Sequence, residues 1–331
     1  MNYIGSKNKL SSFLKKSIHG VVGKDLKDKT FCDIFAGTGA VARSFKTQVK
    51  GVISNDLEFY AFVLNKNYIE NHKEIKGAEN YINILNKLLP KEGFIYKNYC
   101  LGGGTGRQYF SDENGLKIDT IRLKIKQWKD KREIGDDLYY FLLASLLESA
   151  DKVANTASVY GAYLKHLKKS AQKSLILKPA MFELNDNDHQ VFNEDGNTLI
   201  KKIEGDILYL DPPYNQRQYG ANYHLLNTIA KYDDFIPKGK TGLREYNRSQ
   251  YCKKSEVAES FENLIKDAQF KHIFLSYNNE GLMSSKVIKN IMQKYGKYDL
   301  TTTEYQRFKA DSNRFNKTNK TTEYLHILEK Q

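Results

Sequence analysis

The chain has 331 residues, enough for one large domain or two modest ones, and 40% of them are hydrophobic, so a packed core is expected and disorder is not. Lys and Arg number 52 against 39 Asp and Glu, and the resulting +13 favours a polyanionic partner, because neutralised phosphates release counterions. Cys32, Cys100 and Cys252 lie far apart with no CxxC pair, which argues against a disulfide framework or a zinc site and fits a reducing cytoplasm. The N-terminal MNYIGSKNKL has no apolar signal-peptide segment. The longest apolar stretch, Tyr139 to Leu147, is too short to span a bilayer.

In chain order, residues 5–19 read as an amphipathic helix with Leu10, Phe13, Leu14 and Ile18 on one stripe. Residues 30–36 read as a buried strand, followed by a glycine turn and a short helix from Ala40 to Phe45. A second strand at 51–54 ends at Asn55-Asp56, and a helix carrying Phe59, Phe62 and Val63 follows. This β-turn-α-β order opens a doubly wound sheet. Residues 72–189 break the rhythm, with expected helices at 78–89, 111–131 and 136–155 and a lysine-rich stretch at 164–178. They read as a mostly helical insertion. The alternation returns with a strand at 190–193, a helix at 197–203 and a strand at 207–211. A helix at 222–231, a basic loop at 236–254, a helix at 256–268, a strand at 272–277 and a helix at 284–294 come next. Two β-rich segments near 298–308 and 322–329 close the chain.

Three motifs carry chemistry. Asp33-Ile-Phe-Ala-Gly37-Thr-Gly39-Ala follows a strand and opens a helix, so its glycines let backbone approach a nucleotide-like ligand. Asp56, at the end of the next strand, is placed to accept from ribose hydroxyls. With Ala42, Gly37 and Gly39 also satisfy the nicotinamide-cofactor pattern GxGxxA, so this motif alone leaves a dehydrogenase open.

Asp211-Pro212-Pro213-Tyr214 follows the apolar strand ILYL, at the strand end where open α/β sheets bind ligands. An aromatic amino group is a poor nucleophile, because its lone pair is delocalised into the ring. The Asp211 carboxylate and the Pro212 carbonyl offer two acceptors, one for each N–H, that draw the nitrogen toward tetrahedral geometry. The two prolines stiffen the loop, and Tyr214 offers a ring face for an extruded base. Tyr3-Ile-Gly-Ser-Lys7 is the third motif, where Lys7 is suited to pair with a carboxylate and Tyr3 to cover an apolar or cationic group.

In combination and order, these residues resemble the Dam-type (class alpha) adenine-N6 DNA methyltransferases, in particular the FokI-type restriction-modification methylases. Asp211-Pro-Pro-Tyr-Asn-Gln-Arg-Gln-Tyr219, Asn222-Tyr-His-Leu-Leu226 and Phe274-Leu-Ser-Tyr-Asn-Asn-Glu-Gly281 extend the likeness, which covers residues 1–66 and roughly 190–331. It implies an α/β fold, a Rossmann-like S-adenosylmethionine-dependent sheet at 1–71 and 190–331, with a target-recognition insertion at 72–189. It implies methyl transfer from S-adenosyl-L-methionine to adenine N6 in double-stranded DNA, with base flipping. Tyr3 and Lys7 would bind the methionine end of the cofactor. Asp33, Gly37 and Gly39 would form its loop, Asp56 would hold its ribose, and Asp195 would lie near its adenine. Asp211, Pro212, Pro213 and Tyr214 would be catalytic, with Asp211 also near the cofactor. Position 3 departs from the family in having Tyr where Trp is common, and position 33 has Asp where Glu also occurs. Ser276, Tyr277 and Asn278 fit a supporting role at the base pocket and fit a packed strand end equally.

From their charge, Lys238, Lys240, Arg244, Arg248, Lys253 and Lys254 of the basic loop are expected to face DNA, with Arg244 or Arg248 suited to a guanine edge. A monomer in the cytoplasm is expected, with any cognate restriction endonuclease a separate protein. An RNA or protein N-methyltransferase is the first alternative, because (Asp/Asn)-Pro-Pro-aromatic loops serve those substrates too. A non-catalytic DNA-binding relative is the second, opposed by the intact Asp211 and glycine loop. A nicotinamide dehydrogenase leaves both the charge and the Asp-Pro-Pro-Tyr loop unexplained.

Overall fold

The computed structural model describes residues 7–306 and 320–331. The described residues divide into two compact units, one of residues 7–57, 185–218, 247–306 and 320–331 and the other of residues 58–184 and 219–246.

The first unit is built on a seven-stranded sheet. Its strands are β1 (Thr30–Asp33), β2 (Gly51–Asn55), β3 (Asp188–Phe192), β4 (Glu204–Leu210), β5 (Gln269–Asn278), β6 (Gly296–Gln306) and β7 (Lys320–Lys330). Their order is β3-β2-β1-β4-β5-β7-β6, and β7 runs antiparallel to both of its neighbours. The inner strands are apolar runs, because helices cover both faces of a parallel sheet. Helices α1 (Ser11–Val22), α2 (Ala40–Phe45), α8 (Gly196–Leu199), α11 (Val257–Asp267) and α12 (Ser285–Met292) belong to this unit. Leu208 and Leu210 of β4 and Ile273 and Leu275 of β5 share one core with Phe261, Leu264 and Ile288 of α11 and α12. This is the expected Rossmann-like sheet. The chain order reverses between β1 and β4, so the C-terminal ends of these adjacent parallel strands open a crevice suited to a ligand.

The second unit is helical: α3 (Phe59–Asn65), α4 (Ala78–Asn86), α5 (Phe94–Tyr99), α6 (Asp112–Asp130), α7 (Asp136–Val153), α9 (Tyr219–Asn222) and α10 (His224–Lys231). Helix α7 is its centre and buries Leu142, Leu143, Leu146 and Leu147 on more than one face. The irregular chain after α7 is fixed by helix-borne polar side chains. Asn67 and Asn86 donate to the carbonyls of Ala180 and Leu177, and Ser149 and Ser145 accept from the amides of Lys178 and Ala180. Buried backbone without secondary structure needs such partners.

The unit boundaries correct the division at residues 72 and 190. Helix α3 and residues 219–246 fold with the helical unit, where Tyr60, Val63 and Leu64 share a core with Leu225, Leu226 and Ile229. Asn227 ties the two together, accepting from the Tyr60 amide at 2.9 Å and donating to Glu58 at 2.5 Å. An amphipathic pattern says that a helix buries a face, not which partner covers it. Helix α5 was not visible in the sequence, since six residues are too few to show a period. It is held by Asp119, which accepts from the amides of Ile95 and Tyr96.

Candidate active site

The candidate site lies within the sheet unit, at the C-terminal ends of β1, β2 and β4. Asp33 closes β1 and pairs in register with Tyr209 on β4, two residues before Asp211. After β1 the chain turns through Gly37 (φ 53°) and Gly39 (φ 75°), left-handed values that favour glycine. The Gly37 amide donates to Asp56 Oδ2 at 2.8 Å, so the acid after β2 braces the glycine turn. Asn55 completes the framework. Its Nδ2 donates to the carbonyls of Ile34 and Glu194, and its Oδ1 accepts from the Glu194 amide. Nothing in the sequence pattern singled out Asn55.

Asp33 is buried, and its Oδ1 has no hydrogen-bond partner among the described residues. Burial raises its pKa well above the usual range, and the like charges of Asp211 and Asp56 push the same way. Asp211 is also raised, to about 6, by burial first; the charge of Glu323 adds and Lys7 opposes. Lys7, on a 3-10 turn at Lys7–Leu10, is only 6% exposed. Its Nζ lies 3.2 Å from Asp211 Oδ1 and 2.6 Å from Glu323 Oε1. Burial alone would weaken the ammonium, but the two carboxylates outweigh it and raise the Lys7 pKa well above normal. Lys7 is therefore not a solvated helix residue. It meets carboxylates as expected, and they are the protein's own.

Glu323 was missed in the sequence. It lies on β7 opposite Asn278, is fully buried, and accepts from Ser276 Oγ at 2.5 Å. The signal was present: Glu323 stands two and four residues before Leu325 and Ile327, which places a carboxylate on a buried side of the strand.

Pro212 is buried, and Tyr214 lies edge-on to Tyr277 with ring centroids 6.5 Å apart. The Leu282 amide donates to the Tyr214 carbonyl at 2.9 Å, which fixes the loop after β4. Tyr277 is packed in the core and its hydroxyl accepts from the Met283 amide; Asn278 Oδ1 accepts from the Glu280 amide. Asp195 is exposed and caps α8, accepting from the Thr198 amide at 3.1 Å. Tyr3 lies outside the described residues.

The basic loop splits at the unit boundary after Tyr246. In the helical unit, Lys238 and Leu243 form a small antiparallel bridge around the exposed Lys240. Arg107 fastens this hairpin by donating to the carbonyls of Gly239 and Lys240, and Tyr99 does so by donating to that of Gly242. Arg244 corrects an expectation. It is buried, donates to both oxygens of Asp233 at 3.0 and 2.8 Å, and lies over the Phe235 ring, so its fork faces a carboxylate and not a guanine edge. In the sheet unit Arg248 and Lys254 are exposed, and Lys253 pairs with Glu256 at 3.0 Å.

At the strand ends, the acids Asp33, Asp56, Asp211 and Glu323 outnumber the ammonium of Lys7 among the described residues. Together with a glycine turn that admits backbone contact, this arrangement suits a cationic, hydroxyl-bearing ligand.

The family described as "D12 class N6 adenine-specific DNA methyltransferase" matches residues 3–291. The chain is 64% identical over 332 residues to the type II methyltransferase M.NlaIII of Neisseria lactamica, covering 100% of this chain and 99% of that protein. It is 38% identical to the type II methyltransferase M.FokI of Planomicrobium okeanokoites, covering 100% of this chain and 53% of that protein. It is 39% identical to the type II methyltransferase M.CviAII of Paramecium bursaria Chlorella virus 1, covering 94% of this chain and 93% of that protein. No helix among the described residues is long and apolar enough to cross a membrane.

Proposed function

The chain belongs to the D12 class of N6 adenine-specific DNA methyltransferases, and from that premise we propose that the strand ends around Asp33 and Asp211 are its catalytic site, serving as the modification arm of a type II restriction-modification system. The methyl donor is S-adenosyl-L-methionine, which when bound supplies an electrophilic methyl group on a sulfonium centre. The residues present fit it. The buried Asp33 Oδ1, without a partner among the described residues, suits its ammonium, the glycine turn suits its nucleoside, and Asp56 suits its ribose hydroxyls. The excess of carboxylates suits its two positive charges. Asp195 is assigned to the adenine end, where it would also cap α8.

Asp211 and Pro212 accept one N–H each from the target amino group. Lys7 anchors Asp211 by one oxygen, which leaves the other directed by the rigid Pro-Pro loop. Because Lys7 is already shared by two protein carboxylates, its assigned role is to position Asp211, not to bind the methionine carboxylate. In duplex DNA thymine holds one of the two amino hydrogens, so the base must leave the stack before both acceptors are engaged. Tyr214 offers the ring face that receives it, and stacking of this kind contributes about 1–3 kcal/mol.

A single observation carries the reading. The carboxylate that follows β4 lies beside the glycine loop of β1, at the reversal point of a parallel sheet, and a buried lysine holds it. Supporting the restriction-modification context are the type II methyltransferases it resembles over nearly their whole length. The test is expression in a methylation-free host, followed by mapping of N6-methyladenine. Methylation confined to one short sequence is expected. Asp211→Ala should fold normally and lose about 10²–10³-fold or more in rate. Near-normal turnover by a folded Asp211→Ala protein would overturn the catalytic assignment.

A further inference from the structure

Of the buried charged groups, Glu323 has no role in the chemistry so far. It comes from β7, 316 residues beyond Lys7 in the sequence, and is completely buried. Its Oε1 receives both Lys7 Nζ at 2.6 Å and Ser276 Oγ at 2.5 Å, while its Oε2 has no partner among the described residues. A second buried carboxylate with an unsatisfied oxygen opposes stability. A lysine and a single aspartate would have been enough to hold the loop.

We propose that Glu323 is a positioning residue for Asp211: it draws the Lys7 ammonium toward itself, so that Lys7 pins one oxygen of Asp211 without neutralising the carboxylate. The distances state the division. Lys7 is 0.6 Å closer to Glu323 than to Asp211 (3.2 less 2.6 Å), and the serine hydroxyl fixes the oxygen that Lys7 prefers. A carboxylate fully compensated by a lysine is a weak acceptor for an amino N–H. One whose counter-ion is shared stays basic. The inference rests on the assignment of Asp211 as catalytic.

The groups facing Asp211 set the expected pH behaviour. Among the described residues they are Lys7 from the N-terminal turn, Glu323 from β7, Asp33 from the end of β1, Tyr209 from β4 and Tyr214 from the loop. Among them only Lys7 is a cation. Burial and Glu323 hold Asp211 at about 6 against the pull of Lys7. The carboxylate form is therefore lost as pH falls through about 6, and activity should fall with it. Removing the negative charge of Glu323 leaves Lys7 wholly to Asp211. The acid limb then moves to lower pH, by about 1 unit, and the plateau rate drops because the acceptor is weaker.

The experiment is a carboxyl-carbon NMR titration of Asp211 in the protein without DNA or cofactor, paired with the pH profile of single-turnover methylation. In Glu323→Gln, which keeps size and hydrogen bonding, both midpoints should move down together. In Lys7→Met both should move up. A merely structural role would lower the rate without moving either midpoint. If Glu323→Gln does not fold, Glu323→Asp takes its place: it keeps the charge but shortens the reach to Lys7, so both midpoints should move down by a smaller amount. A folded Glu323→Gln, or Glu323→Asp in its place, with unmoved midpoints overturns the proposal. The two readings separate cleanly. If Asp211→Ala stays active, the catalytic assignment fails; if it is inactive while Glu323→Gln titrates as wild type, the role of Glu323 alone fails.

Discussion

Each of the two units buries carboxylates, and it treats them differently. In the helical unit Asp119 sits between α5 and α10. Its Oδ1 accepts from the Ile95 amide at 2.9 Å and the Tyr232 hydroxyl at 2.6 Å, and its Oδ2 accepts from the Tyr96 amide at 2.8 Å. Arg122, one turn further along α6, donates to the carbonyls of Ile229, Ala230 and Lys231 that end α10. Both groups close helix ends, where backbone lacks partners of its own. In the sheet unit Asp33 Oδ1 and Glu323 Oε2 are buried and lack partners among the described residues. Arg122 leaves Nη1 without a partner among the described residues, so the contrast is one between carboxylates: a carboxylate saturated by the fold, as Asp119 is, is scaffold. A buried carboxylate left short of partners beside Asp211 is held in readiness for a ligand or for the chemistry.

The largest effect expected from that contrast is on stability. Asp119→Ala strands two amides and a hydroxyl, and should destabilise the protein by about 2–4 kcal/mol in chemical denaturation. Asp33→Asn keeps an accepting oxygen and strands nothing, so its unfolding midpoint should move little. Its affinity for S-adenosyl-L-methionine, read by calorimetry, should instead fall by about tenfold, the loss of one charge-assisted hydrogen bond. If Asp33→Asn destabilises as much as Asp119→Ala and binds the cofactor normally, the contrast between scaffold and site breaks down.

A smaller effect sharpens the same contrast within the basic hairpin. Arg244 is paired and buried, whereas Lys240 is exposed on a hairpin whose backbone is already fastened. Lys240→Ala should weaken binding to all DNA sequences alike and reduce the salt-dependence slope by about 1. Arg244→Met should destabilise the fold by about 1–2 kcal/mol, discounted because Asp233 is half exposed, and leave the choice of methylated sequence unchanged. A change of site preference in Arg244→Met, mapped by sequencing, would restore Arg244 as a base reader.

Much of the site was legible because its signals are local. Thr30–Asp33 and Glu204–Leu210 carry β-branched, aromatic and aliphatic runs; the first ends at Asp33 and the second is followed at once by Asp211. A glycine turn after the first and a Pro-Pro-Tyr loop after the second need only their own neighbours to be recognised. Helices α6 and α7 were placed to within a residue or two by period and capping, with Ser111 accepting from the Asn114 amide. Helices too short to show a period, such as α5, gave no such signal.

By itself the sequence determined the β-turn-α-β order, the acids and glycines at the strand ends, and the excess of basic charge, since each depends on residues a few positions apart. The tertiary structure alone decided that Lys7, Asp211 and Glu323 meet, because that depends on β7 inserting antiparallel between β5 and β6. It also decided that Arg244 faces Asp233, and that α3 and residues 219–246 join the helical core. The physical reason is common to all three. Periodicity fixes which face of an element is buried, but the partner across that face is chosen by packing over the whole chain, where small differences in buried area and charge compensation decide.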